Sequence, residues 1–276
     1  MGGRTNVRLQ GKVALVTGGG RGIGRATALA LSEEGAVVAV VARTRHEVES
    51  VAGDIRNRGG TAIALTADIG SETSVDSMVD SVIQSLGPID ILVNNAAVGT
   101  TRSCPVADYP ADEWDRILNI TLRGTFLCCR AVLKGMRGRR SGTIVNIGSI
   151  AGKKAAPDVS PYCVAKFGVA GLSQALVAEN CRHGIRIHTI CPGPVDTPIY
   201  DRKQHPPSKE VRDKMMKPED VADAVIFLCS LSPRVRIDEI VMVPNQFPVS
   251  LWDYQLLDWG RGNENEREQA IGGSPS

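Results

Sequence analysis

The sequence predicts an α/β protein in which one parallel sheet of seven strands carries helices on both faces. Three observations support this fold class. Short apolar runs alternate along the chain with longer segments of helical periodicity. Such alternation is typical of right-handed crossovers between parallel strands that are buried on both sides. A glycine-rich segment follows the first apolar run, and no internal repeat or second core is evident in the 276 residues.

Each strand is expected where a short apolar run ends at a turn, and each helix where amphipathic periodicity follows. The expected strands cover residues 12–17, 36–42, 61–66, 89–93, 143–148, 185–190 and 237–243. The expected helices cover residues 22–34, 45–58, 71–86, 111–137, 158–183 and 218–231.

We expect one domain, over residues 10–250, because no second set of alternating elements occurs. Residues 1–9 are predicted to be a flexible extension. Residues 251–276 are predicted to be an aromatic and then disordered tail, since Trp252, Tyr254 and Trp259 precede a run rich in Gly, Asn, Glu and Ser.

Composition argues against several classes of partner. Charged residues make up 22% of the chain and the net charge is only +2, so neither a nucleic acid nor a membrane partner is expected. The seven cysteines and four histidines lack the spacing of a disulfide framework or a metal site. The cysteines are interpreted as core residues in a reducing compartment, and the expected location is the cytoplasm.

The glycine-rich segment indicates a dinucleotide-binding turn. Five glycines occur in the seven positions from 18 to 24, between the first strand and the first helix. A pyrophosphate meets a helix N-terminus in this arrangement. Gly18 permits the sharp turn, Gly22 lets the backbone approach phosphate oxygens, and Gly24 lets helix and strand pack closely. The spacing differs from the common G-x-G-x-x-G fingerprint, and a turn without a ligand is the alternative.

Tyr162 and Lys166 place a phenol and an ammonium one helical turn apart. A tyrosine titrates at about pH 10 in water, and a nearby positive charge stabilises its phenolate. The pair is therefore interpreted as a general acid/base, although the same spacing also occurs on ordinary helix surfaces.

The two motifs together resemble those of the short-chain dehydrogenase/reductase family. Its T-G-x-x-x-G-x-G and Y-x-x-x-K motifs are matched by Thr17, Gly18, Gly22, Gly24, Tyr162 and Lys166. The segment from Asn94 to Ala97 resembles its N-N-A-G motif, with Ala97 in place of glycine. Residues 10 to 243 follow the family pattern in order. The resemblance implies a Rossmann-like, doubly wound fold and one dinucleotide-binding catalytic domain.

The resemblance also implies hydride exchange between a nicotinamide and a carbonyl or alcohol carbon. Tyr162 would exchange the proton, and Lys166 would lower the pKa of Tyr162 and bind the nicotinamide ribose. Ser149 would polarise the carbonyl oxygen, and Asn119 would support a water chain. A turn hydroxyl and an interior helix amide are the respective alternatives for Ser149 and Asn119. The expected cofactor contacts are Gly18, Arg21, Gly22, Ile23, Gly24, Arg43, Thr44, Asp68, Ile69, Asn95, Ala96, Tyr162, Lys166, Pro192, Gly193, Val195 and Thr197.

Charge at the end of the second strand favours NADP(H). An acidic residue there binds the 2′-hydroxyl of NAD, whereas arginine suits a 2′-phosphate. Arg43 occupies this turn without a neighbouring acid, and Arg21 is a second basic residue on the same side. Guanidinium matches phosphate geometry, but ordinary surface arginines are the alternative.

The expected function is NADPH-dependent reduction of a ketone or aldehyde, 3-oxoacyl thioesters included. An NAD-dependent alcohol dehydrogenase working oxidatively and a non-catalytic nucleotide sensor are the alternatives. The substrate pocket is expected under residues 195–217 and 98–108, whose composition indicates neither an anion clamp nor a long apolar tunnel. A homodimer or homotetramer is expected from the resemblance, with a small carbonyl or alcohol compound as substrate.

Overall fold

A computed structural model of the chain describes residues 8–202 and 206–245 and contains the predicted seven-stranded parallel sheet. The strand order is β3-β2-β1-β4-β5-β6-β7, and every pairing is parallel. The strands are β1 Val13–Thr17, β2 Val37–Ala42, β3 Ala62–Thr66, β4 Ile91–Asn94, β5 Gly142–Ile147, β6 Ile185–Pro192 and β7 Glu239–Met242. The predicted fold class is confirmed.

Helices connect the strands and cover both faces of the sheet. They are α1 Gly22–Glu33, α2 Arg45–Asn57, α3 Glu72–Leu86, α4 Ala111–Leu118, α5 Gly124–Arg139, α6 Ser160–Asn180, α7 Lys209–Asp213 and α8 Pro218–Cys229. The short helix α7 lies inside the segment that was expected to cover the substrate pocket, where no helix was predicted.

The helix predicted over residues 111–137 is two helices, α4 and α5, joined by one π-helical turn at Asn119–Arg123. Two contacts accompany this turn. The hydroxyl of Thr125 donates to the carbonyl oxygen of Thr121 at 2.8 Å, a type of bond that bends helices. Gly124 lies against Ile69, whose Cδ1 would be 2.7 Å from a Cβ at that position. The wider turn therefore lies beside Ile69 of the loop after β3.

Residues of β1 show how the two faces of the sheet are filled. Ala14 and Val16 belong to a core cluster with α1, α2 and α8, whereas Val13 and Leu15 belong to a cluster with α3, α5 and α6. Successive side chains of a strand point to opposite faces, so a continuous apolar run is required.

The segment just before β1 is attached to the domain by contacts of Arg8 and Leu9. Leu9, which was assigned to the flexible extension, is 4% exposed and its amide donates to the carbonyl oxygen of Glu34 at 2.9 Å. Arg8 pairs with the carboxylate of Glu34. Residues 1–7 and the predicted tail at 251–276 lie outside the described residues. Among the helices of the described ranges, none is long and apolar enough to cross a membrane.

His188 of β6 makes stability depend on pH in a defined direction. Its ring is fully buried, with Nδ1 2.6 Å from the carbonyl oxygen of Ile237. Burial lowers the pKa of His188 below its ordinary value of 6.5, the bond to Ile237 opposes this, and Arg186 lowers it further. Because the pKa of His188 is lower in the folded than in the unfolded state, its buried neutral ring contributes fully to stability above pH 6.5. This contribution is lost as the pH falls through the folded-state pKa.

We predict that the free energy of unfolding of the wild type falls more steeply than that of His188→Leu on acidification from about pH 7.5 to about pH 5. Urea unfolding across this range measures both slopes. His46→Gln, at an exposed position, is the matched control and should follow the wild type. Parallel slopes for the wild type and His188→Leu would contradict the prediction.

Candidate active site

A cleft of about 760 Å³ opens at the carboxyl edge of the sheet and contains most of the predicted site residues. Ser149, Tyr162 and Lys166 line it, as do all of the predicted cofactor contacts except Gly24. Asn119 does not line it. The position agrees with the general rule that ligands of open α/β sheets bind outside the carboxyl ends of the strands.

The glycine turn after β1 is tied to the loop after β4 by side-chain hydrogen bonds. The hydroxyl of Thr17 accepts from the amides of Asn95 and Ala96 at 3.1 and 3.2 Å. The side-chain amide of Asn95 donates to the carbonyl oxygens of Thr17 and Gly18 at 3.0 and 3.1 Å. These bonds fix the glycine turn and the loop after β4, which form two walls of the cleft, relative to each other.

Gly24 stands behind the turn and does not line the cleft, and its place between α1 and β1 agrees with the close packing predicted for it. A Cβ on Gly24 would overlap the carbonyl oxygen of Gly18, so only glycine lets α1 start this close to β1. Gly18 and Gly22 have φ of +63° and +52°, a region that glycine adopts readily. Because α1 begins at Gly22, its first amides lie at the cleft and can bind an anion.

The end of the cleft beside β2 carries two arginines and one carboxylate. Arg43 is exposed at the turn after β2 and forms no ion pair with any residue in the described ranges. Arg21 Nη1 lies 3.5 Å from Oε1 of Glu47, a cleft residue that sequence reasoning missed. Nearby, the carboxylate of Asp68 accepts from the amide of Gly70 at 3.0 Å. Arg43 is thus the more available of the two predicted phosphate ligands.

Helix α6 and the turn after β5 bring Ser149, Tyr162 and Lys166 together. Ser149 begins the turn Ile150–Gly152, and its hydroxyl accepts from the amide of Ala151 at 3.1 Å. Lys166 donates from Nζ to the carbonyl oxygen of Ile147 at 2.8 Å, and this nitrogen lies 5.7 Å from the ring centroid of Tyr162.

Burial shifts the two titrating groups in opposite directions. It raises the pKa of Tyr162, and a hydrogen bond with Ser149 opposes that rise in part. It lowers the pKa of Lys166 to about 8. The cost of burying a phenolate is the largest cause of the change in Tyr162, and the expected lowering of its pKa by Lys166 stays a prediction. The phenol keeps its proton at neutral pH and is suited to donate it.

Asn119, the fourth predicted catalytic residue, lies outside the cleft lining, and its role in a water chain stays a prediction. It begins the π-helical turn with an exposed side chain whose Oδ1 accepts from Arg123 at 3.3 Å. It is therefore not the interior amide of the alternative interpretation either. Ile120 lines the cleft, and Thr121 is buried with its hydroxyl accepting from the amide of Val98 at 3.3 Å. In this turn Ile120 and Thr121 face inward, whereas Asn119 faces solvent.

A buried chain of polar side chains links β4, β5 and α6, the elements that lead to Asn95, Ser149 and Tyr162. Asn94 of β4 donates to Oδ1 of Asn146 of β5 at 2.8 Å, and Asn146 donates to the hydroxyl of Ser173 of α6 at 2.8 Å. Asn146 was not predicted to matter. The sequence did contain a signal for this network, an amide side chain within the apolar run of β5. A buried amide is usually hydrogen-bonded, so its presence there indicates a polar partner nearby.

Two loops form the far end of the cleft, beyond Ser149 and Tyr162. Residues of the segments 98–108 and 195–217, which were predicted to cover the substrate, line this end, and the two segments touch where Gly99 meets Ile199. Arg116 of α4 also lines this end and was missed, because it stands outside both predicted segments. Among the described residues, no group of His, Cys, Asp or Glu could hold a metal ion.

Comparison with known proteins gives consistent matches. Residues 12–207 match the family model described as short chain dehydrogenase. A subunit of (2S)-[(R)-hydroxy(phenyl)methyl]succinyl-CoA dehydrogenase from Thauera aromatica is 37% identical over 225 residues, or 80% of this chain and 90% of that protein.

Solved structures agree in fold. A metagenomic short-chain oxidoreductase in complex with NADP has a TM-score of 0.75 at 31% identity, covering 85% of this chain and 97% of that chain. Levodione reductase has a TM-score of 0.79 at 30% identity, covering 86% and 98%.

The turn that Ser149 begins packs closely against the backbone of α6 at Gly152. A Cβ on Gly152 would lie 2.6 Å from the carbonyl oxygen of Lys166. We expect Gly152→Ala to cost about 1–3 kcal/mol of unfolding free energy, because the backbones must move apart. Gly53→Ala, in α2 with no atom within 4 Å of its added Cβ, is the control and should be neutral or stabilising by up to about 1 kcal/mol. Urea unfolding decides, and equal effects of the two variants would refute the prediction.

Proposed function

The chain belongs to the short-chain dehydrogenase family, and from this premise we propose that it is an NADPH-dependent reductase of ketones or aldehydes, with 3-oxoacyl thioesters among its candidate substrates. It is an oxidoreductase acting on alcohols or carbonyls. The observation that carries the proposal is the convergence of Ser149, Tyr162 and Lys166 in the cleft that also holds the glycine turn.

The residues present fit a nicotinamide dinucleotide. Gly18 and Gly22 line the cleft with backbone alone, since glycine has no side chain. The first amides of α1 have no side-chain cap and can meet a pyrophosphate. Arg43 stands at the strand end where the adenosine ribose is expected, with Thr44 beside it. When bound, the cofactor supplies the hydride.

The chain's own residues then manage the proton. Tyr162 holds a proton on its hydroxyl at neutral pH and donates it to the carbonyl oxygen as charge develops there. Ser149 contributes a hydroxyl donor to the same oxygen. Lys166 is anchored by the carbonyl oxygen of Ile147, which keeps its ammonium beside the tyrosine ring.

The preference for NADPH rests on Arg43, since Arg21 shares its charge with Glu47. NADP bound to the similar metagenomic oxidoreductase supports the proposal. The alternative, an NAD-dependent alcohol dehydrogenase working oxidatively, is favoured by Glu47, whose carboxylate lines the same corner and could accept from a 2′-hydroxyl. A non-catalytic nucleotide sensor would not need three catalytic side chains brought together.

Two further expectations remain proposals. A homodimer or homotetramer is supported by large apolar side chains on α5 and α6, of which Phe126, Val164 and Phe167 are each more than 40% exposed. A reducing, cytoplasmic location is supported by the cysteines, all seven of which are free thiols.

We predict that Tyr162→Phe lowers kcat by roughly 10²–10⁴-fold, because general acid catalysis commonly contributes this much. The affinity for NADPH should be largely kept, since the ring still fills its place. NADPH oxidation across a panel of ketones, aldehydes and 3-oxoacyl thioesters measures turnover, and fluorescence titration measures affinity.

The control for this variant is Tyr109→Phe. The hydroxyl of Tyr109 donates to the carbonyl oxygen of Arg102 at 3.3 Å, and the residue does not line the cleft. A Tyr162→Phe enzyme with wild-type turnover on a confirmed substrate would refute the assigned mechanism.

We also predict that the wild type binds NADPH about tenfold or more tightly than NADH, and that Arg43→Asp reverses this order. A charge-assisted contact to the 2′-phosphate is worth about 1.5–3 kcal/mol, and each 1.4 kcal/mol or so is a factor of ten. Competition titrations with both cofactors provide the measurement.

Two further variants sharpen this test. Arg45→Asp places the same charge change two residues away, at an exposed side chain that pairs with Glu49, and should keep the wild-type order. Glu47→Gln should strengthen NADPH binding, because it frees Arg21. Equal affinities in the wild type would overturn the phosphate assignment and support the NAD-dependent alternative.

A further inference from the structure

The far end of the cleft carries positive charge that the hydride-transfer chemistry does not use. Arg116 of α4 lines it on one side, and Arg202 of the loop after β6 lines it on the other. The acidic residues that line the cleft, within the described ranges, are Glu47 and Asp68. Glu47 is paired with Arg21 and Asp68 caps Gly70, both near the glycine turn and β3. The far end therefore has two guanidinium groups and no carboxylate in its lining.

Arg116 is held in place but keeps free hydrogen-bond donors. Oε1 of Glu113 accepts from both the amide and the hydroxyl of Thr101 at 2.7 Å. Arg116 Nη2 lies 3.6 Å from the same oxygen, which is an ion-pair distance and too long for a hydrogen bond. The side chain of Arg116 is 39% exposed. Glu113 thus shares the charge of Arg116, as Glu47 shares that of Arg21, but it leaves the hydrogen-bond donors of the guanidinium unoccupied.

Arg202 is not neutralised by its neighbours. It forms no ion pair within the part of the chain that the structure describes, and its side chain is exposed. The adjacent carboxylate, Asp201, pairs with Arg212, which also lies 3.6 Å from Asp196. Asp196 and Asp201 are therefore already paired with Arg212, and the charge of Arg202 remains available to a ligand in the cleft.

We propose that the substrate carries an anionic group, a carboxylate or a phosphate, at the end remote from its reacting carbonyl, and that Arg116 and Arg202 bind this group. The inference rests on the proposed function and names a substrate class within it. Guanidinium groups offer paired donors that match both anions. The proposal differs from the sequence-based expectation of no anion clamp, because Arg116 lies outside both segments considered there and lines the cleft only through the fold.

Two pairs of substrates separate the sources of negative charge. Oxo acids of increasing chain length are compared with their methyl esters, which lack the carboxylate. Short 3-oxoacyl-CoA thioesters are compared with the corresponding N-acetylcysteamine thioesters, which lack the phosphates. We expect the anionic member of one pair to have a kcat/KM at least about tenfold higher in the wild type, the change that one charge-assisted contact provides.

The ratio of kcat/KM for the anionic substrate to that for its neutral partner is then measured in each of three variants. A general loss of activity lowers both values and leaves the ratio unchanged. Arg116→Gln and Arg202→Gln should each reduce the ratio of anionic to neutral kcat/KM severalfold. Arg102→Gln removes a charge from the neighbouring loop without changing the cleft lining, and its ratio should equal that of the wild type. Ratios near one in the wild type, or ratios unchanged by both arginine variants, overturn the inference while the reductase activity stands.

Failure of the proposed function has a different signature, since then no member of either pair would be reduced. In that case binding decides the inference. Thermal unfolding is followed on protein saturated with NADP⁺, which occupies Arg43, in the presence of a series of dicarboxylates or of inorganic phosphate. An increase in Tm that Arg116→Gln abolishes supports the anion site, and no increase with any of these anions overturns it.

Discussion

The cleft exists because the sheet changes its direction of growth between β1 and β4. Strand β1 pairs with β2 on one side and with β4 on the other. The helix that follows β1 packs on one face of the sheet, whereas α5, which follows β4, packs on the opposite face. The two connections therefore separate at the carboxyl edge and leave a crevice between them. The hydrogen bonds of Thr17 and Asn95 cross this crevice at its base, so they set the distance between its walls.

The catalytic side chains come from elements that a second set of bonds fixes from within. Asn94, Asn146 and Ser173 link β4, β5 and α6 by side chains that water does not reach. Breaking one of these bonds would leave a buried amide or hydroxyl without that partner, which costs free energy and opposes separate movement of the three elements. Asn95 follows the first of these strands, Ser149 follows the second, and Tyr162 is on the helix. The predicted proton donor and one wall of the cleft are thus linked through the same buried bonds.

Burial and charge act differently along the length of the cleft. Where Tyr162 and Lys166 lie, burial disfavours the charged form of each, so it raises the pKa of the phenol and lowers that of the ammonium. A lysine pKa of about 8 still leaves Lys166 mostly protonated at neutral pH, beside a phenol that keeps its proton. Toward the two ends of the cleft the cationic side chains are more exposed, Arg43 at one end and Arg116 with Arg202 at the other.

The parts of the site that could be predicted are those set by local pattern. Alternating apolar runs locate the strands, and the spacing from Tyr162 to Lys166 needs only one regular helix. The sequence pattern predicted one regular helix over residues 111–137, whereas a π-helical turn at Asn119–Arg123 divides it. One extra residue in a turn rotates the later side chains to another face of the helix, so the faces of α4 and α5 do not follow one continuous helical period. Arg116 is missed for a related reason. Its role depends on the space between two loops, and that space is defined only when α4 and the segment after β6 are brought together by the sheet.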